Sequence, residues 1–427
     1  MLSSFFSGIS GLMANSYGIN VVGNNIANVN TIGYKGARAT FQDVLYQSVF
    51  GTAGTSQIGR GTALSSVDTL FSQGSFESTS EPTDLAIGGK GFFVVRQLNG
   101  DDPETDQTNS LYYTRAGQFR FDKEGYLVNP AGYLLQGRQI DRVTHTPYGV
   151  DDDIQISPEP SEPRPTSFVA MALNLQEDAD SPWQAVPPVL TFDAVDPTSY
   201  NYSSSVTVYD GIGQSHDLTV YFVKTDTVGQ WQWHAVDDET GAEIGTGGSL
   251  NFTATGLLAA GSGVPANITP AWSTTPIQLG FDGSLGGNAT TQYPLASTTN
   301  FQTQDGYPPG VLQNVTVSPE GIISGHYSNG QILDLYQLTL ANFNNPQGLS
   351  REGGNLFAET LESGVPYTNA PGQAGLGKIN PNSLEQSNVD LATEFVKMII
   401  SQRGFQANSR VITTTDEILA ELMNLKR

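Results

Sequence analysis

The chain of 427 residues contains no cysteine. Disulfides, thiolate nucleophiles and zinc sites with Cys ligands are therefore excluded. Histidine occurs only at positions 145, 216, 234 and 326, and none stands at a zinc-like spacing from another ligand. No G-x-S-x-G elbow, phosphate-binding loop or dinucleotide fingerprint is present. Asp101-Asp102 and Asp151-Asp152-Asp153 read as solvated acidic loops, because no EF-hand spacing follows them. The sequence thus predicts no catalytic residue, no cofactor site and no metal site. Charge is sparse at 14%, and it is absent from the N-terminus until Lys35. No basic stretch precedes the first apolar positions, and Gly8, Gly11, Asn15, Gly18 and Asn20 interrupt them. Neither a cleavable signal nor a membrane span is expected there, so any export would leave the N-terminus uncut.

Glycine and proline are plentiful, with 47 and 23 copies, and with many Thr, Val and Tyr they favour a turn-rich β body. The 42 acids outweigh the 19 bases, for a net charge of −23. Residues 1–40 carry only Lys35 and Arg38, and 385–427 are close to neutral, so the middle holds nearly all of that negative charge. Such a surface repels nucleic acid and anionic membranes, which argues against both as partners.

Both ends carry apolar residues spaced by seven. Phe5, Leu12, Ile19 and Ile26 form one row, with Leu2 and Ile9 beside it. Leu391, Met398, Phe405, Ile412 and Leu419 form another, flanked by Phe395 and Leu422. This repeat places apolar groups along one side of a helix and predicts a coiled coil between the two ends, with these positions as an assembly interface. The N-terminal helix is expected over 3–28, where each glycine costs about 1 kcal/mol against alanine. Such a helix is marginal alone and is expected to order on assembly. The C-terminal helix is expected to open with a capping box at Ser387-Asn388-Val389-Asp390 and to run to Leu425.

Between the ends the period switches to two. Asp122-Lys123-Glu124-Gly125 and Asn329-Gly330 read as hairpin turns, and Val206–Tyr209, Leu218–Val223 and Trp231–Trp233 read as a β-meander. Prolines 158, 160, 163 and 165, and later 294, 308 and 309, mark crossings into and out of an inserted domain. The expected fold is mainly β with paired terminal helices and nested β domains between them. Residues 1–33 with 385–427 form the helical domain, 34–70 a loose connector that serves as a hinge, 71–157 with 301–384 an inner β domain, and 158–300 an inserted outer β domain.

Four ordered segments resemble one family. Gly23-Asn24-Asn25-Ile26-Ala27-Asn28-Val29-Asn30-Thr31-x-Gly33-Tyr34-Lys35 is similar to the N-terminal signature of bacterial flagellar axial proteins, the rod and hook subunits. Leu384-Glu385-x-Ser387-Asn388-Val389-Asp390-Leu391, followed by Gln402-Arg403-x-Phe405-Gln406-x-Asn408, resembles their C-terminus. Asp84-Leu85-Ala86-Ile87-x-Gly89-x-Gly91-Phe92-Phe93 and Tyr113-Thr114-Arg115-Ala116-Gly117-x-Phe119 agree as well. Phe41–Gln47 resembles the connector of distal rod members, yet those are much shorter, and the segment His216–Lys224 resembles the outer domain of hook members. The resemblance implies a non-enzymatic structural subunit of the extracellular flagellar hook, self-assembling into a flexible tube that passes motor torque from rod to filament. It implies as partners further copies of the chain, the rod, the hook cap, the hook–filament junction proteins and the flagellar type III export apparatus. A rod-type subunit is the alternative within the family. A secreted β-rich adhesin or glycan-binding protein is the alternative outside it, although such a protein would ordinarily carry a cleavable signal or a ligand-binding constellation.

Overall fold

The computed structural model describes residues 2–51, 54–97, 110–141, 144–157, 159–184 and 191–424. Asp101-Asp102, Pro158 and Leu425 lie outside the described residues. The chain is mainly β, with a helix near each end and β domains between them. Helix α1 spans Leu2–Ala27 and helix α2 spans Leu391–Asn424. They pack antiparallel, with Gly8 facing Ile412, Gly18 facing Ser401 and Asn25 reaching Glu394. No described helix is long and apolar enough to cross a membrane.

The start of α2 departs from the expected capping box. Its cap is Asp390, whose carboxylate accepts the Thr393 N–H at 2.7 Å. Ser387 lies before the helix, where its hydroxyl accepts the Val389 N–H at 3.3 Å. The acid is therefore the N-cap rather than the third helical residue, because the chain up to Glu385 is held in a strand.

Two compact units account for the chain, one comprising Met1–Pro158, Asn314–His326 and Ile332–Arg427, the other Glu159–Gln313 with Tyr327–Gln331. In the first unit, segments from before and after the insertion interleave in one sheet. Its central run orders Ile332–Leu338, Leu134–Ile140, Phe92–Arg96, Leu111–Thr114, Leu356–Ala358 and Ser350–Gly353, all antiparallel. Phe92, Tyr113, Phe343 and Phe357 form an aromatic cluster, with Tyr113 and Phe343 edge to face at 4.8 Å. The turn at Asp122–Gly125 closes as expected, with Leu127 opposite Phe121 and Gly125 at φ +85°.

Residues 34–70 are not the loose, hinge-like connector that their glycines suggest. Ala37–Asp43 pairs with Thr62–Thr69, and Gln47–Gly51 pairs with Gly54–Ile58, which makes a β-arm. Its root lies along α1, where the Thr62 N–H donates to Ser10 Oγ at 3.2 Å. The Thr, Val, Phe and Ile between the glycines supply the strand propensity, and cross-strand pairing overrides the flexibility of the glycines.

The second unit holds two five-stranded sheets on one core. Phe168–Gln176 is the central strand of the first sheet, and it pairs with Ile277–Gly280, Thr291–Tyr293 and Thr298–Gln304. The second is the expected meander of Tyr202–Tyr209, Ser215–Lys224 and Gln230–Asp237, joined by Ala242–Glu243 and Gly248–Asn251. Alternate residues Val169, Met171, Leu173 and Leu175 of one sheet meet Leu218, Val220, Phe222, Trp231 and Trp233 of the other. Trp231 is wholly buried at the centre of this core. Trp231→Ala should cost about 3–5 kcal/mol. Amide exchange across Gln230–Asp237 should accelerate in the variant while that of Phe92–Arg96 stays unchanged.

Candidate assembly surface

The four sequence signatures converge at the root of the helix pair. Glu385 is wholly buried, and its carboxylate takes a hydrogen bond from Lys35 Nζ at 2.6 Å and from the Gly74 N–H at 2.9 Å. Arg115 donates to the second carboxylate oxygen at 3.3 Å and to the Gly89 carbonyl at 2.7 Å, and its guanidinium lies 5.4 Å from the Phe92 ring centre. Lys35, Arg115 and Glu385 each come from a different signature, and Gly89 and Phe92 from the fourth. Burial pushes the Lys35 and Arg115 side chains below their ordinary pKa ranges, and Glu385 opposes that shift at both.

The remaining signature residues close the same junction. Gly33 sits at φ +71° and its N–H donates to the Glu385 carbonyl at 2.7 Å, and a Cβ there would stand 2.5 Å from the Ala116 nitrogen. Asn25 is buried. Its amide donates to the Ala37 carbonyl at 2.8 Å and to Glu394 at 3.1 Å, and its oxygen accepts from the Ala37 N–H and the Tyr34 hydroxyl. Asn28 donates to the Asn24 side chain at 3.0 Å and accepts from Thr31, rounding off the end of α1. Asn388 accepts the Gly36 N–H at 2.8 Å and donates to the Leu70 carbonyl at 2.7 Å, which joins the start of the β-arm to the approach to α2. These motifs are thus a fastening for two helix roots, in which the side chains of Asn25, Lys35, Arg115, Glu385 and Asn388 each find a partner in another segment, while Arg115 Nε alone among the Arg115 nitrogens has none.

Beyond the root, the helices present apolar side chains that nothing covers. Phe6, Met13 and Tyr17 are exposed on α1, and Val396, Ile399, Ile400, Val411 and Ile418 on α2. Of the stripe residues expected at the interface, Phe5, Ile9, Leu12, Ile19, Ile26, Met398, Phe405, Ile412 and Leu419 are half-buried, Ile412 against Gly8 of the other helix, while Leu391 and Phe395 are exposed. The side chains of Leu2 and Leu422 lie outside the described residues. A strict seven-residue repeat misses the exposed set, because a helix can present an apolar face wider than one stripe. Lys35, Arg115 and Glu385 were also missed as site residues, although each lies inside a quoted motif. A charged residue in a segment bound for a core was the available signal.

Among the described residues, no group of three or more His, Asp or Glu side chains is placed to hold a metal ion. The Asp151–Asp153 stretch is an edge strand rather than a loop. Arg138 Nε lies 2.8 Å from Asp151, and Arg96 pairs with Asp153.

Four family descriptions match in chain order. They are the flagella basal body rod protein over 7–35, the flagellar hook protein FlgE/F/G D1 domain over 86–168, the flagellar basal body protein FlaE D2 domain over 174–307, and the flagellar basal body rod FlgEFG protein C-terminal over 380–425. The flagellar hook protein FlgE of Borreliella burgdorferi is 35% identical, with 100% of each chain covered. This chain belongs to the flagellar hook protein family. The FlgE of Escherichia coli K12 is 34% identical over 99% of this chain and 100% of its own. The crystal structure of Helicobacter pylori flagellar hook protein FlgE2, at 17% identity and TM-score 0.52, covers 73% of this chain and 100% of its own, and shares the fold. This hook-family chain is a structural subunit of the flagellar hook, and its family is not one of enzymes.

Glu385→Ala leaves Lys35 and Arg115 buried without a counter-charge. It should lower the stability of the first unit by about 3–5 kcal/mol, read as a shifted urea midpoint. An unchanged midpoint would show that the junction does not depend on this ion cluster. The hydrogen bonds from Thr393 hold the Asp390 carboxyl below the ordinary aspartate range. A lowered folded-state value means that the cap's contribution is complete above the unfolded value, about 3.9, and is lost as pH falls through the folded one. Thr393 amide exchange, corrected for its intrinsic pH dependence, should therefore lose protection on acidification. In Asp390→Asn the cap remains but that acid loss should disappear.

Proposed function

We propose that the chain polymerises through its terminal helix pair into a helical tube that acts as a bendable coupling, carrying torque from the flagellar rod to the filament. The observation that supports this reading is the uncovered apolar surface on both helices, held to the β body by a buried ion cluster. A surface of this kind is stable in water only when another apolar surface covers it, and further copies of the chain supply one. In the proposed tube the helix pair forms the inner layer, the first β body the middle shell and the inserted unit the outer layer. The thirteen stripe positions, together with the exposed residues beside them, make the inner contacts.

Bending a rotating tube requires each row of subunits to shorten and lengthen once per turn. Apolar contacts keep the inner layer closed, while small polar contacts between outer units rearrange at low cost. The acidic surface of the middle of the chain keeps those contacts weak. The rod and hook–filament junction proteins are the end partners, the hook cap directs addition of subunits, and the type III apparatus exports the chain to its extracellular site. The role is structural throughout, without catalysis. The family match over 174–307 favours a hook subunit over a short rod-type one.

Deleting 1–30 or 390–427 should abolish tube formation, and removing 160–300 should preserve tubes but alter their bending. Electron microscopy of purified polymer should show curved tubes for the full chain. Straight rigid tubes would favour the rod-type reading, and polymer formed by either terminal truncation would overturn the helix-pair interface.

A further inference from the structure

The same five-residue pattern occurs once in each terminal helix. Gly11-Leu12-Met13-Ala14-Asn15 lies in α1 and Gly404-Phe405-Gln406-Ala407-Asn408 in α2. Each asparagine donates its side-chain N–H to the carbonyl of its own glycine one turn earlier, Asn15 to Gly11 at 2.7 Å and Asn408 to Gly404 at 3.0 Å. Each also stands over the glycine of the other helix. A Cβ on Gly11 would lie 2.8 Å from the Asn408 amide, and one on Gly404 would lie 2.5 Å from Asn15 Oδ1. The two segments therefore form a reciprocal clasp, related by a local two-fold arrangement across the antiparallel seam. The adjoining rungs keep the same register, with Gly18 against Ser401 and Asn25 against Glu394.

We infer that these two Gly-x-x-Ala-Asn segments determine the register in which the chain's own termini pair, which goes beyond the assembly role proposed above. An apolar seam with a seven-residue repeat tolerates a slip of one heptad, because Leu-like residues replace one another at each step. The clasp does not tolerate that slip. Moving α2 by seven residues would carry Asn408 away from Gly11 and Gly404 away from Asn15 together, and where one such slip brings Asn408 to Gly18 it sets Gly404 against Val22, so neither direction of slip keeps both halves of the clasp. A single polar seam residue that specifies register at some cost in stability is a known device in coiled coils, and here two such residues act as a matched pair. The clasp also gives Gly11 and Gly404 a purpose that their low helix propensity hides. Their missing side chains are the sockets.

Helix propensity and the clasp predict opposite outcomes for one substitution. Propensity alone predicts that Gly11→Ala or Gly404→Ala strengthens the helix pair. The clasp predicts that either change weakens it, by overpacking the socket. The natural chain has no cysteine, so an introduced pair reports register without background. A Cβ at Gly18 lies 4.0 Å from Ser401 Cβ, a separation that a disulfide spans. The full-length chain carrying Gly18→Cys and Ser401→Cys should form this disulfide readily in a glutathione buffer. Adding Gly11→Ala or Gly404→Ala should lower its equilibrium constant by about tenfold or more. Adding Asn408→Ala to the Gly11→Ala chain, or Asn15→Ala to the Gly404→Ala chain, should restore most of the loss by emptying the socket. Full cross-linking in the single alanine variants would overturn the inference, and so would a loss that neither compensating change repairs.

Discussion

The carboxylate of Glu385 is removed from water and held between Lys35 and Arg115, and much of the first unit depends on that arrangement. A buried charge is costly unless it is paired and hydrogen-bonded. Here the partners come from three distant stretches of chain, so none is satisfied until all three have met. Their meeting places the end of the N-terminal segment, a strand end of the β body and the approach to the C-terminal helix at one point. Gly33 and Gly74 permit the closeness that this requires, since a side chain at either would overlap the backbone of the opposing segment. With both roots fixed, α1 and α2 lie side by side and antiparallel.

The helix pair then divides its surface in an unusual way. Its seam sets Gly11 against Asn408, Gly404 against Asn15 and Gly18 against Ser401, small and polar residues that permit close approach but bury little apolar area, with Gly8 against Ile412 beside them. Since hydrophobic stabilisation scales with the apolar area covered, about 25 cal/mol per Å², such a seam contributes specificity more than stability. Several larger apolar side chains of both helices, Phe6, Met13, Ile399 and Ile400 among them, stay exposed. A pair built this way leaves apolar surface open to water on both helices. The second unit follows the opposite rule, with a core of large side chains, Trp231 and Phe222 among them, packed between two sheets.

Much of the local structure was legible in the residues. The alternation Leu218, Val220, Phe222 marked a buried strand face, and the turns at Asp122–Gly125 and Asn329–Gly330 lie where their glycines adopt positive φ. The helix at each end followed from spacing and from the lack of charge before Lys35. The capping pattern at Ser387 misled by three residues, because Asp390 is as good a cap as serine and spacing alone does not say which is used. The 34–70 stretch misled in the same manner. Its glycines suggest looseness, and only the partner strand at Thr62–Thr69 turns Ala37–Asp43 into an arm.

By itself, then, the sequence determined element types, the absence of thiol chemistry, the acidic middle and the family signatures at both ends. These are properties of near neighbours along the chain or of composition, and they need no knowledge of what folds against what. Only the tertiary structure decided that Lys35 meets Glu385 across 350 positions of sequence, and that Gly8, Gly11 and Gly18 of α1 are places where another helix approaches rather than weak points in their own. Those facts depend on complementarity between separated segments. A side chain's burial and partners are set by the surface brought against it, and periodicity carries no record of that surface.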